Sequence, residues 1–247
     1  MNRTCLSLCV FLIAALFSTN PSHADFSLLL SEEWLDDSIG AQANNTPEIG
    51  SATYSFGTHT VYDHGGGDKG VELEAGFIGG YVQYHPIPTQ SVHSIQNVNY
   101  RFGVDNNVTG GQQNQVLQTI SLNNDQVSLY WGNDNALRYA YIGQGVDTGI
   151  INSGVTYSRG QVYTVEFLFD YQSDSMDLLF DGQSLLSRSI GGAENNVSQV
   201  FLQMTSGVTG KTRLEYMSVG AASVPEPGSL ALCAIGLVGT AIRRKRK

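Results

Sequence analysis

Between residues 25 and 223 the chain reads as short runs of alternating apolar and polar residues, bounded by glycine, asparagine and serine. A strand places successive side chains on opposite faces, so runs of period two are expected to be half-buried β-strands. No stretch of ordinary length carries the 3.6-residue period of an amphipathic helix. The runs predict strands over 53–56, 71–75, 81–85, 96–104, 115–122, 126–131, 138–142, 148–151, 161–170, 176–180, 183–189, 197–205 and 211–219. About a dozen strands at this spacing predict an all-β fold, an antiparallel two-sheet sandwich. The clearest hairpin joins 176–180 to 183–189 through Asp181-Gly182, a pair suited to the positive φ angles of a type I′ turn.

The two ends follow different patterns. Residues 1–24 carry Arg3, an apolar run from Leu6 to Phe17 and then Ser22-His23-Ala24, the small-x-small pattern of a signal peptide cleaved after Ala24. That run is too short to span a membrane. Cys9 sits inside it behind the bulky Leu8, which speaks against a lipoprotein. At the other end, Val224-Pro225-Glu226-Pro227-Gly228 is kept out of helix and sheet by its prolines. Thirteen uncharged residues, Leu230 to Ile242, follow, and then the basic cluster Arg243 to Lys247. As a helix the thirteen would span roughly 20 Å, short of the ~30 Å hydrocarbon core, and would need snorkelling flanks or a thinned bilayer. The basic cluster is expected on the cytoplasmic side, which places the body outside the membrane. The expected organisation is a signal peptide at 1–24, a sandwich domain at 25–222 and a membrane and sorting segment at 223–247.

Composition sharpens once the ends are set aside. All three cysteines, Cys5, Cys9 and Cys233, lie in the end segments, so the body has no thiol and no disulfide framework. The whole chain carries −9, but residues 25–223 hold 7 basic against 21 acidic residues, a formal −14. Such a body is a poor ligand for nucleic acid or anionic lipid and is compatible with divalent cations and neutral glycans.

The tail, with Pro225-Glu226-Pro227, a short apolar segment and a terminal Arg/Lys cluster, resembles the PEP-CTERM sorting signal of Gram-negative, polysaccharide-producing bacteria. The resemblance implies a partner: exosortase, a membrane-embedded cysteine peptidase that recognises the tripeptide and cuts near it. It also implies transient membrane association and delivery to the cell envelope, the cell surface or the medium. In the body, Asp147-Thr148-Gly149-Ile150, then Tyr157-Ser158-Arg159-Gly160-Gln161-Val162-Tyr163-Thr164-Val165-Glu166-Phe167, Asp170-Tyr171 and Leu178-Leu179-Phe180-Asp181-Gly182 resemble the later strands of laminin-G-like, concanavalin-A-like jelly rolls. The segment 28–40 resembles their opening and 212–219 their closing strand. This implies a jelly roll and leaves function open.

Candidate chemistry is sparse. Glu72 and Glu74 alternate on one strand, the geometry of a retaining glycosidase pair about 5 Å apart, although Gly70 and Ala75 stand where a fuller glucanase pattern would continue. A solvated strand face explains them as well. Tyr62 to Asp68 gathers two aspartates and His64 around three glycines, a conceivable but entropically costly ion loop. Asp170, Asp174 and Asp177 cluster before the Asp-Gly hairpin, where calcium is the candidate ion and ordinary turn chemistry the competing reading. No Gly-x-Ser-x-Gly elbow or His-Glu-x-x-His pattern occurs. Tyr130, Trp131, Tyr139 and Tyr141 are the candidate ligand-binding aromatics, able to stack sugar rings if exposed and to build the core if not. The expectation is a non-enzymatic, exported surface or matrix protein that binds exopolysaccharide. A concanavalin-A-like glycan-cleaving enzyme using Glu72 and Glu74, and a ligand-free architectural protein, are the alternatives.

Overall fold

The structure, a computed structural model, describes residues 27–43, 47–50, 54–56, 59–65, 68–74, 81–84, 95–111, 113–122, 125–190 and 196–222. The signal peptide with Ala24, Pro225-Glu226-Pro227 and the apolar run 230–242 lie outside the described residues. Among the described residues no helix is long and apolar enough to cross a membrane. Ser27–Ala222 forms one compact unit.

Nineteen strands occur among the described residues: β1 Ser27–Glu32, β2 Ile49–Gly50, β3 Tyr54–Phe56, β4 His59–Gly65, β5 Asp68–Glu74, β6 Tyr81–Tyr84 and β7 Ile95–Val104 open the chain. They continue with β8 Thr109–Gly110, β9 Asn114–Leu122, β10 Gln126–Gly132, β11 Ala136–Gly143, β12 Val146–Asp147 and β13 Ile151–Thr156. The last are β14 Val162–Asp170, β15 Ser175–Phe180, β16 Gln183–Ser189, β17 Val197–Met204, β18 Val208–Thr209 and β19 Lys211–Ala222.

They form two antiparallel sheets and a small ribbon. The first sheet runs β16-β15-β14-β7-β19-β1-β2, with the β4–β5 hairpin added beside β19. The second runs β12-β11-β10-β9-β17-β6-β3, with β13 on β11, and β8 pairs β18 separately. The chain is thus an all-β jelly-roll sandwich, as the alternation implied. The strand expected at 148–151 begins instead at Ile151, and the glycine-rich segment around His64 is largely strand and forms the β4–β5 hairpin.

The core follows from the period of two. Val98, Tyr100, Phe102 and Val104 of β7 are fully buried, as are Val165, Phe167 and Phe169 of β14. From the second sheet Val127, Leu129 and Trp131 of β10 meet them. Trp131 links the sheets, its ring 5.2 Å from Phe102, 5.6 Å from Phe180 and 4.9 Å from Tyr157. Gln118 is the polar exception: its Oε1 accepts from Tyr100 Oη at 3.0 Å and from Trp131 Nε1 at 2.8 Å. One acceptor thereby satisfies two donors that burial would otherwise orphan.

Candidate functional site

At one end of the sandwich the loops from both sheets enclose a cleft of about 470 Å³, within the range of small-molecule sites. Its lining includes Asn106, Thr109, Gln115, Asn133, Asn135 and Arg159, with backbone at Gly110 and Gly111. Among the described residues the lining offers amides, a hydroxyl, a guanidinium and backbone, and no carboxylate.

Arg159 holds the walls together. Its Nε donates to Asn135 Oδ1 at 2.9 Å, Nη2 to Gln115 Oε1 at 2.7 Å and to the Asn133 carbonyl at 3.3 Å, and Nη1 to the Val108 carbonyl. A planar fork with five donors can serve acceptors on three segments at once, and here it ties the β7–β8 connection, the start of β9 and the β10–β11 turn. The arginine is itself fixed by the neighbouring turn, where Gly160 at φ 77° donates its N–H to the Val104 carbonyl at 2.7 Å. Asn135 takes φ 61°, a conformation asparagine tolerates better than most residues, and closes the β10–β11 turn. Gly110 permits a close approach of two backbones, since a Cβ there would stand 2.5 Å from the Gly207 carbonyl oxygen. Beneath the cleft the Tyr157 hydroxyl donates to the Gly132 carbonyl at 2.8 Å, and burial pushes its pKa up to about 12.

The residues singled out in the sequence lie elsewhere. Trp131 and Tyr141 are fully buried, and Tyr139 packs against the core, because the register pairs Trp131 with Leu137, Leu129 with Tyr139 and Val127 with Tyr141 on the inward face. Tyr130, next to Trp131, points the opposite way. The four therefore form no exposed platform, a correction that alternation alone accounts for. Tyr141 is committed further: its hydroxyl donates to Asp125 Oδ2 at 2.7 Å and the Arg188 guanidinium lies 3.6 Å over its ring.

Glu72 and Glu74 do share a face of β5, but Lys211 Nζ stands between them, 2.8 Å from Glu72 Oε2 and 3.0 Å from Glu74 Oε1. Those contacts, Glu72 first, raise the lysine pKa and keep it charged. Neither carboxylate lines the cleft. Asp170 Oδ1 accepts from the N–H groups of Gln172 and Ser173 at 2.9 and 3.1 Å, and Asp174 Oδ2 accepts from Ser189 Oγ at 2.9 Å. Asp177 lies within β15, opposite Leu168. These aspartates serve turns and strands, and among the described residues no group of three or more His, Cys, Asp or Glu side chains is placed to hold a metal ion. The cleft residues themselves were missed. Their signal is faint: asparagines in turns, which look like ordinary turn formers until the fold brings them together.

The sandwich is similar to several solved structures at identities that speak for the fold alone. The binding domain of botulinum neurotoxin DC, in complex with rat synaptotagmin II, superposes with a TM-score of 0.53 at 12% identity over 85% of this chain, which spans 52% of that one. The carbohydrate recognition domain of Emp47p gives 0.52 at 8% identity, covering 83% of this chain and 100% of that one. Domain 4 of AbnA, an extracellular arabinanase from Geobacillus stearothermophilus in complex with arabinotriose, gives 0.50 at 13%, covering 81% and 95%. No curated protein matches the chain in sequence. The fold class is therefore the jelly-roll sandwich. Residues 223–247 match the family model described as the PEP-CTERM protein-sorting motif. The chain thus carries, behind a jelly-roll domain, a PEP-CTERM protein-sorting motif, which indicates export and sorting to the cell envelope.

Proposed function

We propose that this is a non-enzymatic surface protein that exosortase processes near Pro225-Glu226-Pro227, and that its sandwich binds the cell's own exopolysaccharide through the loop-end cleft. The lining of that cleft carries the reading. Sugar hydroxyls both donate and accept, and amide side chains beside open backbone offer both partners in a fixed arrangement. The cleft is held rigid by Arg159, so little order has to be imposed on binding. A body at −14 favours neutral over polyanionic polymers. Carbohydrate recognition in the names of two structural neighbours supports the same reading.

The test is retention of the full-length protein on exopolysaccharide prepared from its own host. Asn133→Ala or Asn106→Ala is expected to weaken retention about tenfold, the worth of one or two well-placed hydrogen bonds, with an unchanged melting temperature. If the wild-type protein is not retained, the glycan part of the proposal fails and an architectural role takes its place. Release of new reducing ends that stops in Glu72→Gln or Glu74→Gln would replace it with the enzymatic reading. Exosortase processing is tested separately: Pro225→Ala together with Pro227→Ala is expected to accumulate precursor in the membrane fraction.

A further inference from the structure

A second cavity, of about 220 Å³, opens on the outer face of the first sheet. Its origin is a flaw in strand pairing. β19 pairs with β5 as far as Leu214 and with β1 from Met217 onward, so two residues face no partner on that side. Against β7 the register shifts between Leu214 and Tyr216, which leaves Glu215 as the extra residue of a bulge. A bulge re-aims a side chain and interrupts the ladder. Here it turns a carboxylate into the gap.

That carboxylate is poorly served. The Glu215 side chain is 8% exposed. Its Oε1 receives one long hydrogen bond, from Tyr62 Oη at 3.4 Å. Oε2 is buried with no aligned hydrogen bond, although Arg101 Nη2 lies 3.2 Å away. His64 stands beside it, its Nδ1 4.0 Å from Glu215 Oε1 and its Nε2 3.1 Å from the Lys69 carbonyl. A buried carboxylate usually takes several hydrogen bonds, because leaving one unsatisfied costs on the order of a few kcal/mol. The cavity is therefore lined by the Glu215 carboxylate and the His64 ring beside the half-exposed Arg101.

We propose that this cavity binds a single neutral sugar unit, a chain end or side branch, at a site separate from the loop-end cleft. Vicinal hydroxyls would donate to the Glu215 carboxylate and accept from Arg101. The charges choose the class. An ammonium would meet Arg101 within a few ångströms, and Lys69 is already spent on the carbonyls of Leu35 and Asp37 at 2.8 and 2.5 Å. An anion would meet Glu33, Asp68 and Glu215 together. A neutral polyol avoids both repulsions, and the volume admits one ring. The proposal stands on Glu215 and its bulge and is independent of the loop-end reading.

The experiment is ligand-observed saturation-transfer NMR on the full-length protein, with methyl glucoside, methyl galactoside and methyl mannoside as probes and glucuronate and glucosamine as charged counterparts. At least one neutral glycoside is expected to bind. Glu215→Gln and Arg101→Ala are each expected to weaken it about tenfold or more, while Asn133→Ala leaves it unchanged. Should Glu215→Gln fail to fold, Arg101→Ala decides, since that side chain is half exposed. The proposal is overturned if no neutral glycoside binds, if a charged counterpart binds more tightly, or if binding survives the variants that fold. Loss in Asn133→Ala would overturn it too, by placing the glycoside in the loop-end cleft.

Discussion

Gln118 concentrates the polar accounting of the core in one atom. Its Oε1 serves the buried Tyr100 hydroxyl and the buried Trp131 indole N–H, while its own Nε2 finds no partner. Gln118→Leu removes that orphan but creates two, so a loss of about 2–4 kcal/mol is expected in urea unfolding. Adding Tyr100→Phe should restore part of the loss, because it deletes one stranded donor; an unchanged or deeper loss would show that packing, not hydrogen bonding, dominates. This arrangement is partly legible in the sequence, since Gln118 occupies the inward phase set by Val116 and Ile120. The same phase argument separates Tyr130 from Trp131, because neighbours on a strand cannot share a platform. What the sequence does not show is which cross-strand partners complete the set. Tyr100 lies on the other sheet, and no local pattern links it to Gln118.

At the scale of elements, β19 shows both what alternation reveals and where it breaks. Its core-facing positions run Thr212, Leu214, then Met217, Val219 and Ala221, a jump of three where two is regular. That change of phase marks the bulge at Glu215, and a strict reading of the apolar spacing would have located it. Deleting Glu215 restores unbroken alternation with the same inward set, so this variant is expected to fold cooperatively and to lose only the second cavity. Deleting Ser218 instead turns Val219 and Ala221 outward, and a loss of about 3 kcal/mol or more is expected. Comparable melts for the two deletions would refute the assignment of the bulge. The turn of the β15–β16 hairpin was legible: Asp181 and Gly182 take φ 47° and 77°, as a type I′ turn requires. Gly182→Ala is expected to cost about 1–2 kcal/mol by thermal unfolding, the penalty of a left-handed L-residue. β4 was obscured because the glycines after His64 suggested a loose loop, whereas Val61 pairs with Val71 and holds the hairpin on the sheet.

The whole molecule couples its stability to pH through buried phenols. Tyr100, Tyr157 and Tyr171 are buried, and burial raises each pKa above the value near 10 of an unfolded chain. The folded state then holds protons that the unfolded state releases, so stability is whole below pH 10 and falls as pH rises above it. The slope approaches about 1.4 kcal/mol per pH unit for each such tyrosine, measurable as a steep drop in melting temperature between pH 10 and 12. The chain's exit from the fold sets the other whole-molecule constraint. β19 lies between β7 and β1 and stays buried to its last residue, Ala222. Pro225 is three residues on, at most about 10 Å of extended chain. Under the proposed exosortase processing, the peptidase must therefore work close to the end of a folded interior strand, and a cut at the motif spares every described strand. A cut within β19 would remove the inward side chains beyond it, Ala221 first, and with them part of the pairing to β1. Two outcomes are expected. The processed surface form should melt at the same temperature as the precursor, and a six-residue glycine-serine spacer between Ala222 and Ser223 should raise the ratio of mature to precursor protein on an immunoblot. A ratio unmoved by the spacer would mean that the folded body does not crowd the site. A melting temperature lowered by processing would mean that the cut falls within β19 and that the motif marks the neighbourhood of cleavage without protecting the strand.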